Sequence, residues 1–566
     1  MTVDNRQFNL TTDPWIKVIT VNDNQEQMVS LIDLFTHAQD YRQLAGDMRS
    51  QNLAILRLLL AILTTVYSRF DATGEAYSWL KTSGTSPQDL EVDDDEFTKD
   101  DSTEDLLETW QQLNQAGHFT QSVTRYLEFF ADRFDFFGER PFYQVTTADY
   151  DALVPKNKAI AAGKGKVAVK QLNRRISESN HTPAIFAPKT GAAKNDMSLD
   201  ELIRWIITYQ NFTGVTDKTK IVTEESFSNA AGWLYRLNPV FAQGETLFTT
   251  LMLNLVLSDS RNDYACPKPV WEYATVSDYI AERKREILPD NLPEIYTAWS
   301  RILHIEWDEN QRPTIFSAGI PMFSSDNAFI EPMTTWRFDK KTNAYRPAIK
   351  KLQFLGVAMW RDFGDYVNVH RVDDSHEPEL VVWLRTLQKE NLLVYNHPIV
   401  LNSVALISDG KSASQTPAVE VGDDMQMQAD VLFDSGQQDY WPTRIEEAID
   451  FTQAVGDDYY HFAKDIARIR NVDGRLFAGQ MSAKFYERLN TPFKMWLEGL
   501  TSQDDRDEKI MAWKAQLKML TVAAVDEELQ ASSPRDMRGV SGKTGPLNIF
   551  TAKSHLMYNL RLHLDL

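Results

Sequence analysis

Residues 156–175 concentrate positive charge in a chain whose formal net charge is -21. Between Asp151 and Glu178 there is no acidic residue, and the basic residues are Lys156, Lys158, Lys164, Lys166, Lys170, Arg174 and Arg175. Lysine and arginine neutralise the phosphates of nucleic acids. The tract therefore predicts a segment that binds a polyanion, with Lys164, Lys166, Lys170, Arg174 and Arg175 as its contacts.

Two other stretches are also rich in basic residues. Residues 336–351 contain Arg337, Lys340, Lys341, Arg346, Lys350 and Lys351 against a single acid, Asp339. Lys464 and Arg468 are four residues apart in a predicted helix, so they share one face. Three such stretches in an acidic chain favour a nucleic-acid partner, although each alone is typical of an ordinary solvated surface.

Motifs for catalysis are weak. "GVSGKTG" (539–545) lacks the first glycine of a phosphate-binding loop, because Met537 stands there. The lone Cys266 excludes an internal disulfide and a cysteine-built zinc site. Asp373, Asp374, His376, Glu377 and Glu379 leave a metal-dependent hydrolase open as an alternative. We otherwise expect no enzymatic activity, no metal and no cofactor.

Bulk composition indicates a globular protein of more than one domain. The chain has 566 residues, of which 43% are hydrophobic, and single cores stop growing at roughly 250–300 residues. Residues 89–108 hold eleven acids and one lysine, which predicts a solvated loop. Since this run carries nearly half of the net negative charge, the overall acidity does not exclude binding to nucleic acid.

The N-terminal sequence and the apolar runs indicate the cellular compartment of the protein. No signal pattern precedes the first predicted strand. The apolar run 53–67 is shorter than the roughly 20 residues of a membrane span and contains Arg57, so we interpret it as a buried helix. We therefore expect a cytoplasmic protein with no membrane partner.

Hydrophobic periodicity predicts a mixed N-terminal part and a helical C-terminal part. Residues 146–197 show little periodicity and indicate a long loop, and 380–387 and 398–408 have the pattern of strands. The predicted helices are 29–38, capped by Ser30, 49–69, 104–115, 120–133, 198–210, capped by Ser198 with Glu201 in a capping box, 245–256, 443–455, 458–470, 479–498, 506–529 and 547–564. The fold class is thus α+β, with a large mixed α/β domain at 1–435 and a helical bundle at 436–566.

Several stretches, in this order, resemble the CasA family, the large subunits of the type I-E CRISPR surveillance complex Cascade. The resemblance is carried by "PWIKV" (14–18), "LIDLF" (31–35), "DMRSQNLAIL" (47–56), "RPFYQ" (140–144), "GETLFTTLMLNLVL" (244–257) and "LNIFTAKSHLMYNLRLHL" (547–564). It implies a C-terminal four-helix bundle. It also implies a non-catalytic subunit that binds the crRNA 5′ handle and the other Cascade subunits. Such a subunit recognises the protospacer-adjacent motif (PAM) in duplex DNA, helps to open that duplex and recruits a helicase-nuclease.

The resemblance also implies roles for individual residues. Phe186 lies in the loop that holds the crRNA handle, although its ring could instead pack in the core. Gln415, with Ser414 beside it, aligns with a wedge under the first base pair of the target. The loop at the minor groove and its phosphate contacts correspond to Thr213, Gly214, Val215, Lys218 and Lys220.

On the bundle, Lys464 and Arg468 would guide the displaced DNA strand. Residues 317–329 contain no lysine where some family members place one in the minor groove, so the sequence of the motif stays open. A nucleic-acid-binding scaffold with no CRISPR role is a further alternative.

Overall fold

A computed structural model describes most of the chain. The described residues are 6–84, 88–173, 189, 191–214, 217–228, 231–235, 237–258, 264–367, 369, 375–394, 396–408, 417–435, 440–542 and 545–564. The side chains of 170, 192, 353, 408, 417 and 418 lie outside the description.

The α-helices are named in chain order. They are α1 Leu31–Thr36, α2 Arg49–Tyr67, α3 Lys99–Ala116, α4 Gln121–Phe129, α5 Thr147–Leu153, α6 Val169–Leu172, α7 Leu199–Phe212, α8 Leu247–Asn254, α9 Val276–Arg285, α10 Leu292–Thr297, α11 Phe363–Val367, α12 Glu379–Lys389, α13 Ala429–Leu432, α14 Trp441–Arg470, α15 Gly474–Glu498, α16 Arg506–Gln530, α17 Pro534–Arg538 and α18 Ile549–Leu564.

The strands are named in the same way. They are β1 Ile16–Thr20, β2 Glu26–Val29, β3 Tyr41–Leu44, β4 Leu80–Thr82, β5 Leu90–Val92, β6 Lys166–Val167, β7 Val240–Gln243, β8 Arg301–Trp307, β9 Pro313–Gly319, β10 Trp336–Asp339, β11 Ala344–Pro347, β12 Ser375–His376, β13 Pro398–Ser408, β14 Pro417–Gln428, β15 Val540–Ser541 and β16 Pro546–Leu547.

The chain divides into two compact units. The first comprises Met1–Gln353, Pro378–Leu384 and Asn402–Gly422, and the second comprises Phe354–Glu377, Arg385–Leu401 and Asp423–Leu566. Small sheets and helices make up the first unit, and long helices dominate the second. This confirms the predicted α+β class. The second unit also takes in segments before 436, because it is assembled from separate pieces of chain, so the division at 435/436 itself stays a prediction.

Helix α2 forms the centre of the first unit. It packs against α7 and α10, and 94% of its most apolar stretch is buried. By length and composition it could cross a membrane, but burial on every side is typical of a core helix. Arg57, which is 0% exposed, pairs with the equally buried Glu331 at 2.9 Å. The predicted buried helix is therefore confirmed.

A three-stranded sheet in the first unit has the order β6–β9–β8. β8 and β9 are antiparallel along their full length, with Arg301 opposite Gly319 and Trp307 opposite Pro313. The side-chain amide of Gln210, from α7, joins this sheet by donating to Arg301 O (2.8 Å) and accepting from the Ser300 N–H (2.9 Å). Helix α7 is thereby fixed against the start of β8.

The second unit contains the four long helices α14, α15, α16 and α18. Helix α14 packs against the other three, and α16 also packs against α15 and α18, which forms the four-helix bundle that the resemblance implied. Apolar residues such as Phe462, Phe493 and Trp513 fill its interior. The predicted helices 443–455 and 458–470 form one continuous helix, α14. Gly456, which lies between the two predicted helices, is a buried residue within α14 and does not end it.

Three local predictions are wrong. The acidic run is a loop only in part, because its second half lies in α3, which begins at Lys99; Thr98 accepts there from the Asp101 N–H, and acids in a first turn favour a helix. Residues 380–387 lie in a helix, α12, rather than a strand. Ser198 occupies the N-cap of α7 without a capping bond, and Glu201 instead accepts from Asn173 at 3.1 Å.

The predicted long loop from 146 onward is also wrong for its described part. Thr146 caps α5 by accepting from the Asp149 N–H at 3.2 Å. Short 3₁₀ turns follow at Lys156–Lys158 and Ile160–Ala162, then β6 and α6. This part of the basic tract is therefore held in defined structure, which the low apolar content of its sequence concealed.

Candidate nucleic-acid interface

Two segments that are distant in sequence lie along one edge of β9. The short strand β6 pairs with Ile315 and Phe316 of β9. The rest of this edge of β9, up to Gly319, can therefore pair with other segments. Beyond β6, the Ser317 N–H donates to Gly165 O at 3.0 Å, and the Gly319 N–H donates to Thr219 O at 2.8 Å. Residues 164–167 and 219–221 are therefore neighbours.

Gly165 permits this close approach. Its φ is +82°, in the left-handed region that favours glycine. A Cβ at this position would lie 3.1 Å from Thr219 Oγ1 and 3.2 Å from the Tyr150 hydroxyl. A larger residue would therefore push the two segments apart, so the sequence "KGK" fixes the junction between them.

The lysines on these segments differ in availability. Lys164, Lys166 and Lys218 are exposed, and Lys166 Nζ lies 5.3 Å from the centre of the Phe316 ring. Lys220 is half-buried and donates to Phe227 O, with its Nζ 4.8 Å from the Phe227 ring. The edge thus presents Lys164, Lys166 and Lys218 to a polyanion, whereas Lys220 mainly stabilises its own loop.

Arg301 lies behind this edge and is 0% exposed. Its Nε donates to Ser317 Oγ at 2.5 Å, and its Nη2 donates to Thr219 O at 3.2 Å. No carboxylate lies within salt-bridge distance of it among the residues that the structure describes. Arg301 therefore fastens the 219–221 segment to the sheet and adds a positive charge without an ion-pair partner beneath the exposed lysines, although Asp217 lies nearby on the same segment.

Three buried polar atoms around this junction have no hydrogen-bond partner within the described part of the chain. They are Arg301 Nη1, the Tyr150 hydroxyl and Thr219 Oγ1. Burial raises the pKa of Tyr150 well above its ordinary value, and the nearby Arg301 only partly opposes this. The tyrosine is therefore neutral at physiological pH, and the charges near it are those of Arg301 and the lysines together with the carboxylates of Asp151 and Asp217.

The loop predicted to approach the minor groove begins in a buried position. Thr213 is 0% exposed, Gly214 is also buried, and the Gly232 N–H donates to Thr213 O at 2.8 Å. A Cβ on Gly232 would lie 2.2 Å from Asn211 O, so this contact is very close. Lys218 is the exposed end of the loop.

The second unit carries the remaining described basic face. Lys464 is exposed, with Nζ 5.1 Å from the Tyr460 ring, and Arg468 Nη2 donates to Ser541 O at 3.1 Å. Arg470 instead pairs with Asp536 at 3.1 Å and with Glu528 at 3.3 Å. Lys464 and Arg468 therefore share a solvent-facing surface, whereas the charge of Arg470 is used within the bundle.

In the basic hairpin β10–β11, Arg346 is compensated by acids. Arg346 is 2.9 Å from Asp326 and 3.7 Å from Asp339, while Lys340 and Lys341 are exposed at its turn. The count of charges over 336–351 did not include Asp326, and it therefore overestimated the positive charge of this hairpin.

Several predicted site residues lie outside the described part of the structure. They are Arg174, Arg175, Phe186, Val215, Ser414 and Gln415, together with the side chain of Lys170. Their roles stay predictions.

The residues of the predicted metal cluster are engaged elsewhere or lie outside the description. Both carboxylate oxygens of Glu377 accept from Arg385, at 2.8 and 2.5 Å. Asp373 and Asp374 are outside the described residues. Among the described residues, no group of three or more potential metal ligands occurs, so the structure gives the hydrolase alternative no support.

Sequence reasoning missed the residues that hold the junction at β9. Arg301 begins the apolar strand "RILHIEW", where an arginine facing a core gives no periodic signal. Tyr150 and Thr219 likewise have unremarkable neighbours. The usable signal was Gly165, since a glycine between two lysines is a site where backbone approaches backbone.

A model of the CRISPR-associated protein Cse1 family matches residues 9–524. The fold is similar to Cse1 of Thermobifida fusca, at 21% identity and a TM-score of 0.78, covering 100% of this chain and 99% of that one. It is also similar to Cse1 of Acidimicrobium ferrooxidans, at 19% identity and 0.71, covering 99% and 98%. A chain of a CRISPR RNA-guided surveillance complex matches at 14% identity and 0.66, covering 98% and 99%. No curated protein sequence matches.

Proposed function

Because this chain belongs to the Cse1 family of CRISPR-associated proteins, we propose that it is the large subunit of a type I-E RNA-guided surveillance complex. The likeness to a chain of such a complex over nearly its whole length supports this role. Its partners are then the other subunits and the 5′ handle of the crRNA. It acts in the cytoplasm and has no catalytic activity of its own.

In this role the subunit recognises the PAM in duplex DNA, helps to open the duplex for R-loop formation and recruits the helicase-nuclease. The observation that carries the DNA-binding part is the edge of β9. Exposed Lys164 and Lys166 from one segment and Lys218 from another lie along one edge, with the buried Arg301 behind them. Phosphates attract such a cluster even when the whole chain is acidic, because the field near the surface depends on local charge.

The remaining site residues have separate roles in the proposal. Gln415, with Ser414 beside it, would separate the first base pair, and Phe186 would hold the crRNA handle. Lys464 and Arg468 would contact the displaced strand. For Gly214, contact with the minor groove requires that the buried backbone at 213–214 becomes accessible when DNA binds.

The proposal is tested with the full chain assembled with the partner subunits and crRNA. The double variant K164E/K218E removes two exposed lysines that make no side-chain contact within the described residues. Assembly should persist, while the slope of log Kobs against log salt for target duplex should decrease in magnitude by about two, since each phosphate contact contributes roughly 0.9.

The matched control is R42E/K284E, which reverses two exposed cations of the same unit that lie on β3, in a different sheet, and on α9. It carries the same change in net charge and should leave the slope almost unchanged. An equal effect of both double variants would show that only net charge matters. A chain that does not join the assembly would refute the role as a subunit.

A further inference from the structure

An aromatic cavity lies in the first unit, apart from the β9 edge. Its volume is about 250 Å³, below the roughly 300–1,000 Å³ of pockets for drug-sized ligands. Its aromatic lining consists of Phe142, Tyr143, Trp271, Tyr273, Tyr279 and Trp299. Such walls suit one planar ring system, because rings stack on or meet the edges of aromatic side chains.

Tyr143 occupies a backbone position where another residue type would cost less. The Gln144 N–H donates to Pro141 O at 3.0 Å and closes a turn, in which Tyr143 is the third residue with φ +55°. Glycine or asparagine is preferred there. Tyrosine at a left-handed position is strained, and strained residues cluster at binding sites. A tyrosine at this position contributes its ring to the wall of the cavity, which glycine or asparagine could not do.

One polar group in the aromatic wall is unused. The Trp271 indole donates to the Tyr126 hydroxyl at 2.8 Å, and the Tyr273 hydroxyl donates to Glu294 at 3.0 Å. Trp299 is 6% exposed, yet its Nε1 has no hydrogen-bond partner within the described residues. A buried N–H without an acceptor is costly, and because this nitrogen is itself buried, a ligand acceptor would satisfy it once the Trp299 ring turns toward the cavity.

Charged residues line the same cavity. Arg140 is exposed and makes no side-chain contact within the described part of the chain, and Glu139 beside it is also exposed. Arginine binds phosphate in a bidentate manner, and a carboxylate accepts from ribose hydroxyls or exocyclic amines. The second acid, Asp149, already accepts from the Thr146 hydroxyl at 2.7 Å.

We propose that this cavity binds a nucleotide: the base lies between the aromatic walls, a ring acceptor meets Trp299 Nε1, and the phosphate meets Arg140. The inference does not rest on the role proposed for the β9 edge. The same chemistry is supplied by a free nucleoside 5′-monophosphate or by one unstacked base of a strand. An aromatic side chain of a protein partner would fill the walls but would leave Arg140 without an anion.

The test is calorimetric titration of the full chain with AMP, GMP, CMP and UMP, with the matching nucleosides and ribose 5-phosphate as comparisons. Octanucleotides of RNA and DNA form the second arm. Tighter binding of an octanucleotide that displaces the monophosphate identifies a strand base as the ligand. Binding of monophosphates alone identifies a free nucleotide.

Variants locate the binding in the cavity. Trp299→Phe keeps a ring and removes the N–H, and should weaken nucleotides and nucleosides about three- to tenfold. Arg140→Gln should weaken nucleotides about tenfold and leave nucleosides unchanged, and its exposed position should preserve folding. Arg312→Gln, an exposed arginine outside the cavity, should change neither. The proposal is overturned if no nucleotide or octanucleotide binds, which would favour a protein side chain, or if binding is equal in the wild type and both variants.

Discussion

Replacing Gly165 by alanine tests whether close backbone packing joins the two basic segments. Alanine at φ +82° costs about 1–2 kcal/mol in the folded state. The stiffer unfolded chain offsets about 0.4–1 kcal/mol of this. Contacts of 3.1 Å to Thr219 Oγ1 and 3.2 Å to the Tyr150 hydroxyl add an overpacking cost of about 1–3 kcal/mol. We therefore expect the junction to lose about 2–3 kcal/mol of local stability.

Gly163→Ala is the matched control. Gly163 lies two residues earlier and also has a positive φ, +63°, but a Cβ there meets no atom within 4 Å. This variant carries the backbone strain without the contact, and we expect a loss of only about 0.5–1 kcal/mol after the unfolded-state offset. The difference between the two variants therefore isolates the packing of Gly165 on Thr219.

Amide hydrogen exchange measures this difference at the junction itself. Global unfolding is less suitable, because a chain of two units does not unfold in a two-state transition. The reporters are the Ser317 and Gly319 amides, which donate to Gly165 O and Thr219 O. Exchange changes tenfold for each 1.4 kcal/mol, so Gly165→Ala should accelerate these amides about 30- to 150-fold and Gly163→Ala about two- to fivefold. Equal acceleration in the two variants would refute the idea that Gly165 joins the segments.

Two further predictions concern other parts of the chain. Burial, reinforced by Glu286, raises the pKa of Glu294 from 4.5 to about 7; its neutral form is therefore favoured in the fold, and about 3 kcal/mol of stability present below pH 4.5 is lost as the pH rises through 7. Glu294→Gln should flatten the pH dependence of thermal unfolding, and a slope equal to that of the wild type would contradict this. Gln415→Ala should slow R-loop formation by the assembled complex while leaving assembly intact, and unchanged R-loop kinetics would remove Gln415 from the site.

Where one physical signal dominates a segment, its sequence predicted the fold. The predicted helix 49–69 corresponds to α2, Arg49–Tyr67, because every residue of 53–67 except Arg57, Thr64 and Thr65 is apolar. Ser30 caps α1 as expected, accepting from the Asp33 N–H at 3.1 Å. The helices α15 and α16 were also predictable, since their buried residues, nearly all of them apolar, recur mostly every three or four positions over 25 residues.

Prediction failed where two signals conflict. The segment 380–387 is rich in apolar and β-branched residues and so resembles a strand, but the less buried positions of α12 include 382, 385, 386 and 389, which recur with the period of a helix. In the acidic run, charge density suggested a loop, whereas Leu106, Trp110 and Leu113 bury one side of α3. Composition averages over both faces of an element, so a helix with one strongly charged face is easily mistaken for a solvated loop.

The sequence predicted which charged residues belong to the site but not how they are arranged in space. Lys164, Lys166 and Lys218 were identified from their types, but their common position on β9 depends on hydrogen bonds between residues about 100–150 positions apart. Such pairing leaves no periodic trace in either segment. The resemblance also implied a phosphate contact for Lys220, whose ammonium group instead donates to Phe227 O within its own loop.

Arg301 changes how the charge reversals at the β9 edge should be interpreted. Two other buried arginines of the first unit face carboxylates: Arg57 pairs with Glu331, and Arg69 with Glu272 at 2.7 Å. Arg301 has only neutral oxygens as partners within the described residues, and solvent screens a buried charge less than an exposed one. Its field therefore reaches the edge of β9 whatever occupies positions 164 and 218. K164E/K218E should accordingly lower the salt slope without abolishing attraction to phosphate, because the exposed Lys166 and the buried Arg301 remain positive at this edge.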